Sequence, residues 1–320
     1  MNKILSILIG ASILIYGNCD DSVSEEVIKG EETALIDETL SLNKPLLISP
    51  TLNRPTKYPL ASVGLSMIFP GLGHLYLDDY STARDLGGIA AAEFATLSLS
   101  DDESTKFNAA ALYSNTYMYS LYAVYRDTRA YNFDKKYLFQ MPQDTFYDIS
   151  MAPFKWTIMK KPEVWGGIIG FLSAAVGISY LTAPKLDSSG NTNHIPFPAI
   201  AFPVGIGEES FFRGVMQPVI TEYTKSPIIG NIITSLLFTA VHVPNGDHFD
   251  SANRNHFYKV GLPIIGSASL YFGWLAQKNN SLQESVAVHA WYDFFLFAGA
   301  YATKKVLGEG NAHFKTSIPF

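Results

Sequence analysis

From residue 60 onward the chain alternates apolar runs with short polar interruptions. The runs cover residues 60–77, 86–100, 107–125, 164–183, 197–220, 228–243, 260–277 and 286–303. A helix needs about 20 apolar residues to cross the hydrocarbon of a bilayer, and several runs fall near or slightly below that length. Only helices and closed barrels satisfy every backbone polar group in lipid. The pattern therefore predicts an all-α fold, a polytopic transmembrane helix bundle of about eight spans. Run 86–100 is the weakest because it carries Glu93. Run 60–77 is interrupted by Pro70-Gly71-Leu72-Gly73, which favours a break, a close helix approach or a re-entrant bend. Between 126 and 161 the text turns polar, aromatic and basic. That stretch is expected to be a cytoplasmic loop, with room for an amphipathic helix on the membrane surface.

The N-terminal text differs. Lys3 and the apolar residues 4–16 have the layout of an export signal, and thirteen apolar-type positions are few for a span. Cys19 follows Tyr16-Gly17-Asn18, so residues 1–19 are open to three readings: an ordinary signal peptide, a lipoprotein signal or an uncleaved anchor. Residues 20–58 are acidic, eight carboxylates facing one lysine between Asp20 and Glu38. This segment is expected to be extramembrane and loosely ordered. Residues 59–162 then form an N-terminal membrane unit with its basic loop. Residues 163–320 form a unit holding every candidate catalytic residue.

Composition agrees with a membrane setting. Charged residues make up 16% of the 320, below the quarter typical of soluble domains. The net charge of -6 is concentrated in the acidic segment, so no basic footprint for nucleic acid exists. The partners expected are the lipid bilayer and a peptide or membrane-protein substrate, with no nucleic acid. Cys19 is the sole cysteine, which excludes a disulfide framework and a cysteine-based zinc site. The export features point to a multi-pass integral protein of the bacterial inner (cytoplasmic) membrane.

Three polar clusters interrupt the later runs. Glu208-Glu209-Ser210-Phe211-Phe212-Arg213 lies within residues 197–220, where each charge at bilayer depth costs roughly 2.5–3.5 kcal/mol. On a helix Glu209 and Arg213 are four apart and form an ion pair. Glu208 is turned away by about 100°, without that cation, and is free to take a proton from water. His242 ends Phe238-Thr239-Ala240-Val241-His242, and alone it reads as a core or interfacial histidine. His289 and Asp293 are again four apart, so the carboxylate can orient the imidazole. A salt-bridged patch bracing the bundle, or a proton path through a transporter, would use the same residue types. There is no His-Glu-x-x-His and no Gly-x-Ser-x-Gly elbow. Asp247, His248, Asp250 and His256 read as a solvated loop, residues 113–125 as a tyrosine-rich packing belt, and His74 as structural.

The ordered set Glu-Glu-x-x-x-Arg, Phe-x-x-x-His and His-x-x-x-Asp on successive runs resembles the CPBP family of intramembrane proteases. These are the relatives of the CAAX prenyl endopeptidase and of bacteriocin-processing and immunity proteins, also called the Abi family. The resemblance covers roughly residues 164–303. It implies an intramembrane endopeptidase in which Glu208 activates water, Glu209 and Arg213 form the supporting ion pair, and His242 joins Glu208 around the water. It also implies that His289 and Asp293 hold the scissile carbonyl, with Phe238 as a packing residue. Asp293 would need a proton to donate a hydrogen bond. The glutamate–water scheme requires no cofactor. A zinc ion, if the site used one, would take Glu208, His242, His289 and Asp293 as ligands. The alternative is a non-catalytic membrane scaffold or immunity factor that keeps the same fold.

Overall fold

The computed structural model describes residues 55–132, 137–182, 197–248 and 251–311. The expected signal or anchor (1–19) and almost all of the acidic segment (20–58) lie outside the described residues. Within them, all regular structure is helical.

The N-terminal unit contains α1 (Pro59–Ile68), α2 (Leu72–Tyr76), α3 (Tyr80–Leu99) and α4 (Glu103–Tyr131). The first apolar run is thus two short helices rather than one span. Gly71 makes the corner, with φ of 91° in the left-handed region that favours glycine. A Cβ there would also lie 2.4 Å from the carbonyl oxygen of Ala83. Asp79 and Asp102 start α3 and α4, each side chain accepting a backbone N–H three residues on.

Helix α4 continues to Tyr131, so the stretch expected to be a solvated loop begins inside a buried helix. Arg126, Asp127, Thr128 and Arg129 are all buried. Arg126 and Asp127 pair with each other, and Arg129 donates to the Phe139 carbonyl and lies over the Tyr137 ring. Arg126 donates to Asp127 through Nε at 2.8 Å and Nη2 at 3.1 Å, and the Asp127 carboxylate also lies 3.2 Å from His74 Nε2. Residues 137–161 then form a strap across the C-terminal unit, with two short helices, α5 (Phe146–Met151) and α6 (Trp156–Met159). A capping box between Thr145 and Asp148 starts α5. Burial disfavours a charge on Asp148, but the Thr145 hydroxyl and backbone and the Lys155 ammonium outweigh it, leaving the carboxyl below its ordinary range.

The C-terminal unit comprises α7 (Pro162–Thr182), a 3₁₀ turn (Pro198–Ile200), α8 (Ala201–Phe211), α9 (Gln217–Thr224) and α10 (Pro227–Val241). Beyond a second 3₁₀ turn come α11 (Ser251–His256), α12 (Leu262–Asn279) and α13 (Gln283–Asn311). Among the described residues one stretch, Pro227–Asp247, is long and apolar enough by itself to cross a membrane. Pro59–Ile68 and Pro162–Ile178 are apolar but shorter. Other predicted spans carry polar side chains turned toward neighbouring helices, such as Asn108 and Asn115 on α4 and Ser269 on α12.

Helix α8 is the centre of the arrangement, packed between α4 and α13. Gly207 and Gly214 admit α4. A Cβ on Gly207 would fall 2.2 Å from Asn115 Oδ1, and one on Gly214 would fall 2.3 Å from the Tyr122 ring. Residues of α3, α4, α13 and the segment after α8, among them Leu86, Tyr122, Val215 and Val286, form one buried cluster. The two units thus share a core. A π-turn (Phe212–Met216) joins α8 to α9, with the Gln217 N–H bonded to the Phe212 carbonyl. A second π-turn (Phe257–Gly261) precedes α12 in the same way, the Leu262 N–H reaching Phe257. Each is followed by proline in the next helix, Pro218 and Pro263. Proline has no N–H and its ring crowds the carbonyl four residues back, so the chain widens one turn ahead of it.

Candidate active site

Helix α8 presents two adjacent glutamates in different directions, as its period requires. Glu209 is fully buried and its Oε1 lies 2.8 Å from Arg213 Nη1. Arg213 sits in the π-turn, and its Nη2 donates to the Ser269 hydroxyl at 2.7 Å and carbonyl at 3.2 Å on α12. The guanidinium also lies over the Phe238 ring, 4.5 Å from its centre. This cation is used up by Glu209, α12 and an aromatic face.

Helix α13 delivers His289. Its Nδ1 lies 2.8 Å from Glu209 Oε1, the oxygen that also receives Arg213. Its Nε2 faces Asp293 Oδ2 at 3.3 Å and Glu208 Oε2 at 3.7 Å. The imidazole is stacked on Phe272 of α12, with ring centres 5.0 Å apart and planes at 18°. Glu208, Glu209, His289 and Asp293 therefore meet at the α8–α13 contact, with Arg213 behind them.

His242 occupies the C-terminal end of α10. Its Nδ1 lies 2.7 Å from the Phe238 carbonyl, and its ring is 4.5 Å from the Phe238 ring. The side chain is half-buried. Phe238 itself is buried and fills the space between His242, His289 and Phe212, 6.0 Å from the His289 ring and 4.9 Å from Phe212.

The carboxylates differ in how completely they are used. Glu208 Oε2 has no hydrogen-bond partner among the described residues, and the side chain keeps 21% of its surface exposed. Glu209 Oε2 also lacks a partner, but that side chain is fully buried, so Glu208 is the free acceptor that can be reached. No three histidine, cysteine, aspartate or glutamate side chains among the described residues are arranged to hold a metal ion. The His289 Nε2 already faces two carboxylates. The zinc ligand set expected from the sequence, Glu208, His242, His289 and Asp293, does not fit this geometry.

Sequence reasoning missed three contributors. The contact from His289 to Glu209 joins residues 80 apart, and spacing along one helix does not report it. Ser269 and Phe272 sit within an apolar run, where one hydroxyl and one aromatic ring carry no distinguishing signal. The segment after His242 departs from its expected solvated loop, since Ser251–His256 form α11 and Asn253 and His256 are buried. Asp250 lies outside the described residues.

Residues 191–295 match the family model described as type II CAAX prenyl endopeptidase Rce1-like. The matched segment is about a third of the chain and contains every member of the constellation. The resemblance drawn from the three motifs is thereby shown: this segment matches the CPBP/CAAX protease family. No curated protein and no solved structure matches the chain.

Proposed function

We propose that this chain, which shares with the CAAX endopeptidase family the segment 191–295, hydrolyses a peptide bond at or within the membrane. The observation that carries this reading is the division between the paired glutamates. Glu209 is fully buried and holds both Arg213 and His289 through Oε1, whereas Glu208 faces His289 with a free oxygen and a partly open side chain. Glu208 takes a proton from a water molecule as that water attacks the peptide carbonyl carbon. The charge that develops on the carbonyl oxygen is met by the imidazoles of His289 and His242. Asp293 holds the outer face of the His289 ring, and Glu209 holds the inner one. Glu208 then returns its proton to the departing amine, giving a new carboxyl end and a new amino end.

The substrate is a membrane-associated or secreted peptide, or a segment of a membrane protein. The enzyme works as a multi-pass protein of the bacterial inner membrane, with residues 163–320 as the protease core. The test is a comparative peptide profile of cells carrying wild-type or Glu208→Gln protein at equal abundance. One uncut precursor should accumulate in the variant. Identical profiles would replace this reading with that of a scaffold or immunity factor.

A further inference from the structure

Helix α13 carries His289 and Asp293, and the residue just before its first turn offers no side-chain acceptor. That residue is Leu282, whose side chain has no polar atom and is fully buried. An acceptor comes from the strap. Asp144 Oδ2 accepts the Leu282 backbone N–H at 2.7 Å, and Oδ1 accepts the Ser281 hydroxyl at 2.8 Å and Gln283 Nε2 at 2.9 Å. The same Ser281 oxygen accepts the Gln283 N–H at 3.2 Å. A carboxylate at a helix N-terminus satisfies an orphan donor and opposes the macrodipole.

Asp144 is itself fixed. It is buried, and its carbonyl accepts Arg126 Nη1 at 2.6 Å and the Tyr122 hydroxyl at 3.0 Å, both from α4. Two further ties follow along α13. Lys161 pairs with the buried Glu284, and Trp291 Nε1 donates to the Pro153 carbonyl at 2.8 Å. Leu282 and His289 are seven residues apart, so they lie on nearly the same face about 10 Å apart along the axis. The Nε2 of His289 is set against Glu208 only as accurately as this stretch of helix is held.

We infer that Asp144 is a positioning residue for the reaction. The N-terminal unit supplies, through Asp144, the acceptor for the Leu282 N–H at the start of the helix that aligns His289 with Glu208. This inference rests on the peptidase reading above, and its test separates the two.

The full-length protein in detergent micelles is compared as wild type, Asp144→Ala, Asp144→Asn and Ser281→Ala by amide hydrogen exchange. Cells carrying each variant, and Glu208→Gln, are compared by peptide profile. In Asp144→Ala the amides at the start of α13 should exchange about tenfold faster, with α8 and α12 unchanged. The cleaved product per molecule should fall about tenfold. Asp144→Asn retains one acceptor oxygen and should restore most of both. Ser281→Ala should give a smaller change in the same direction, and it carries the test if Asp144→Ala does not accumulate. Unchanged exchange in Asp144→Ala, or in Ser281→Ala should that variant stand in, overturns the inference whatever the peptide profile does. So does faster exchange with wild-type product levels while Glu208→Gln loses product. Unaltered product in Glu208→Gln refutes the peptidase reading instead, and the cap is then judged on exchange alone.

Discussion

Each unit buries, among the described residues, a cluster of arginine, histidine and carboxylate side chains. In the N-terminal cluster Asp127 receives both Arg126 and His74, and all three side chains are nearly inaccessible, at most 3% exposed. One carboxylate serves two potential cations. In the C-terminal cluster three carboxylates, Glu208, Glu209 and Asp293, surround His289 with Arg213 behind. Glu209 absorbs the arginine and the inner ring nitrogen, which leaves Glu208 with an unsatisfied oxygen and a partly open face. The contrast separates bracing from chemistry. Burying ionised groups is expensive in both places, but of the two clusters only the second keeps an unpartnered carboxylate oxygen on a side chain that is partly open.

The largest effects should come from exchanging one carboxylate in each cluster. Glu208→Gln should lower product formation by about 10²–10⁴-fold, the usual worth of a general base, while the thermal midpoint stays at the wild-type value. Asp127→Asn should do the reverse, removing about 3–5 kcal/mol of stability because Arg126 is left as a buried unpaired charge. Product per folded molecule should remain within about threefold of wild type. Stability is read by thermal unfolding in micelles, activity by the peptide profile. If Asp127→Asn silenced a stably folded protein, the division between the clusters would be wrong.

Glu209→Gln belongs between these extremes and should show both losses, because this residue holds the charge of Arg213 and the orientation of His289. Gly207→Ala tests the contact that seats α8 on α4. The added methyl meets Asn115 backbone Cα at 2.6 Å as well as its side chain. The expected cost is about 1–3 kcal/mol, and a second change, Asn115→Ala, should not restore it. Full rescue would mean that the side chain alone sets the approach.

The smallest effect lies in the strap. Asp148→Asn should cost about 1 kcal/mol, reduced by solvent screening at this half-open site. The Asp148 carboxyl is held below its ordinary range, against the pull of burial, by Thr145 and Lys155. Its ionised form therefore stabilises the fold at neutral pH. That contribution should fade as pH falls through the lowered folded value. Melting curves of wild type and Asp148→Asn should converge at strongly acid pH.

The helical class and the position of α10 were legible in the apolar runs, because length and hydrophobicity report them directly. The Glu209–Arg213 pair was equally legible, since four-residue spacing places the two on one helical face. Arg126 and Asp127 gave the opposite impression. Neighbours in sequence do not face each other across a helix turn, so two adjacent charges looked like the start of a solvated loop. Their pairing depends on His74, 53 residues away from Asp127, and on a carbonyl of the strap. Asp144 was silent for a related reason. One of its partners is a backbone N–H, 138 residues away, and every residue type has one. Contacts within one helix could be read from the text, whereas those that join the two units could not.

The widened turn after Phe211 fixes more than the path around Pro218. It inserts one residue into what would otherwise be a continuous rod from Ala201 to Thr224, which sets the azimuth of the glutamates relative to Gln217 and Thr221 downstream. Those anchors are engaged elsewhere, Gln217 with the Gly273 carbonyl and Thr221 against Gly230. Deleting a single residue from 212–216 would keep every other amino acid yet swing Glu208 by about 100°. The carboxylate would then leave the imidazole, although no reacting group had been substituted.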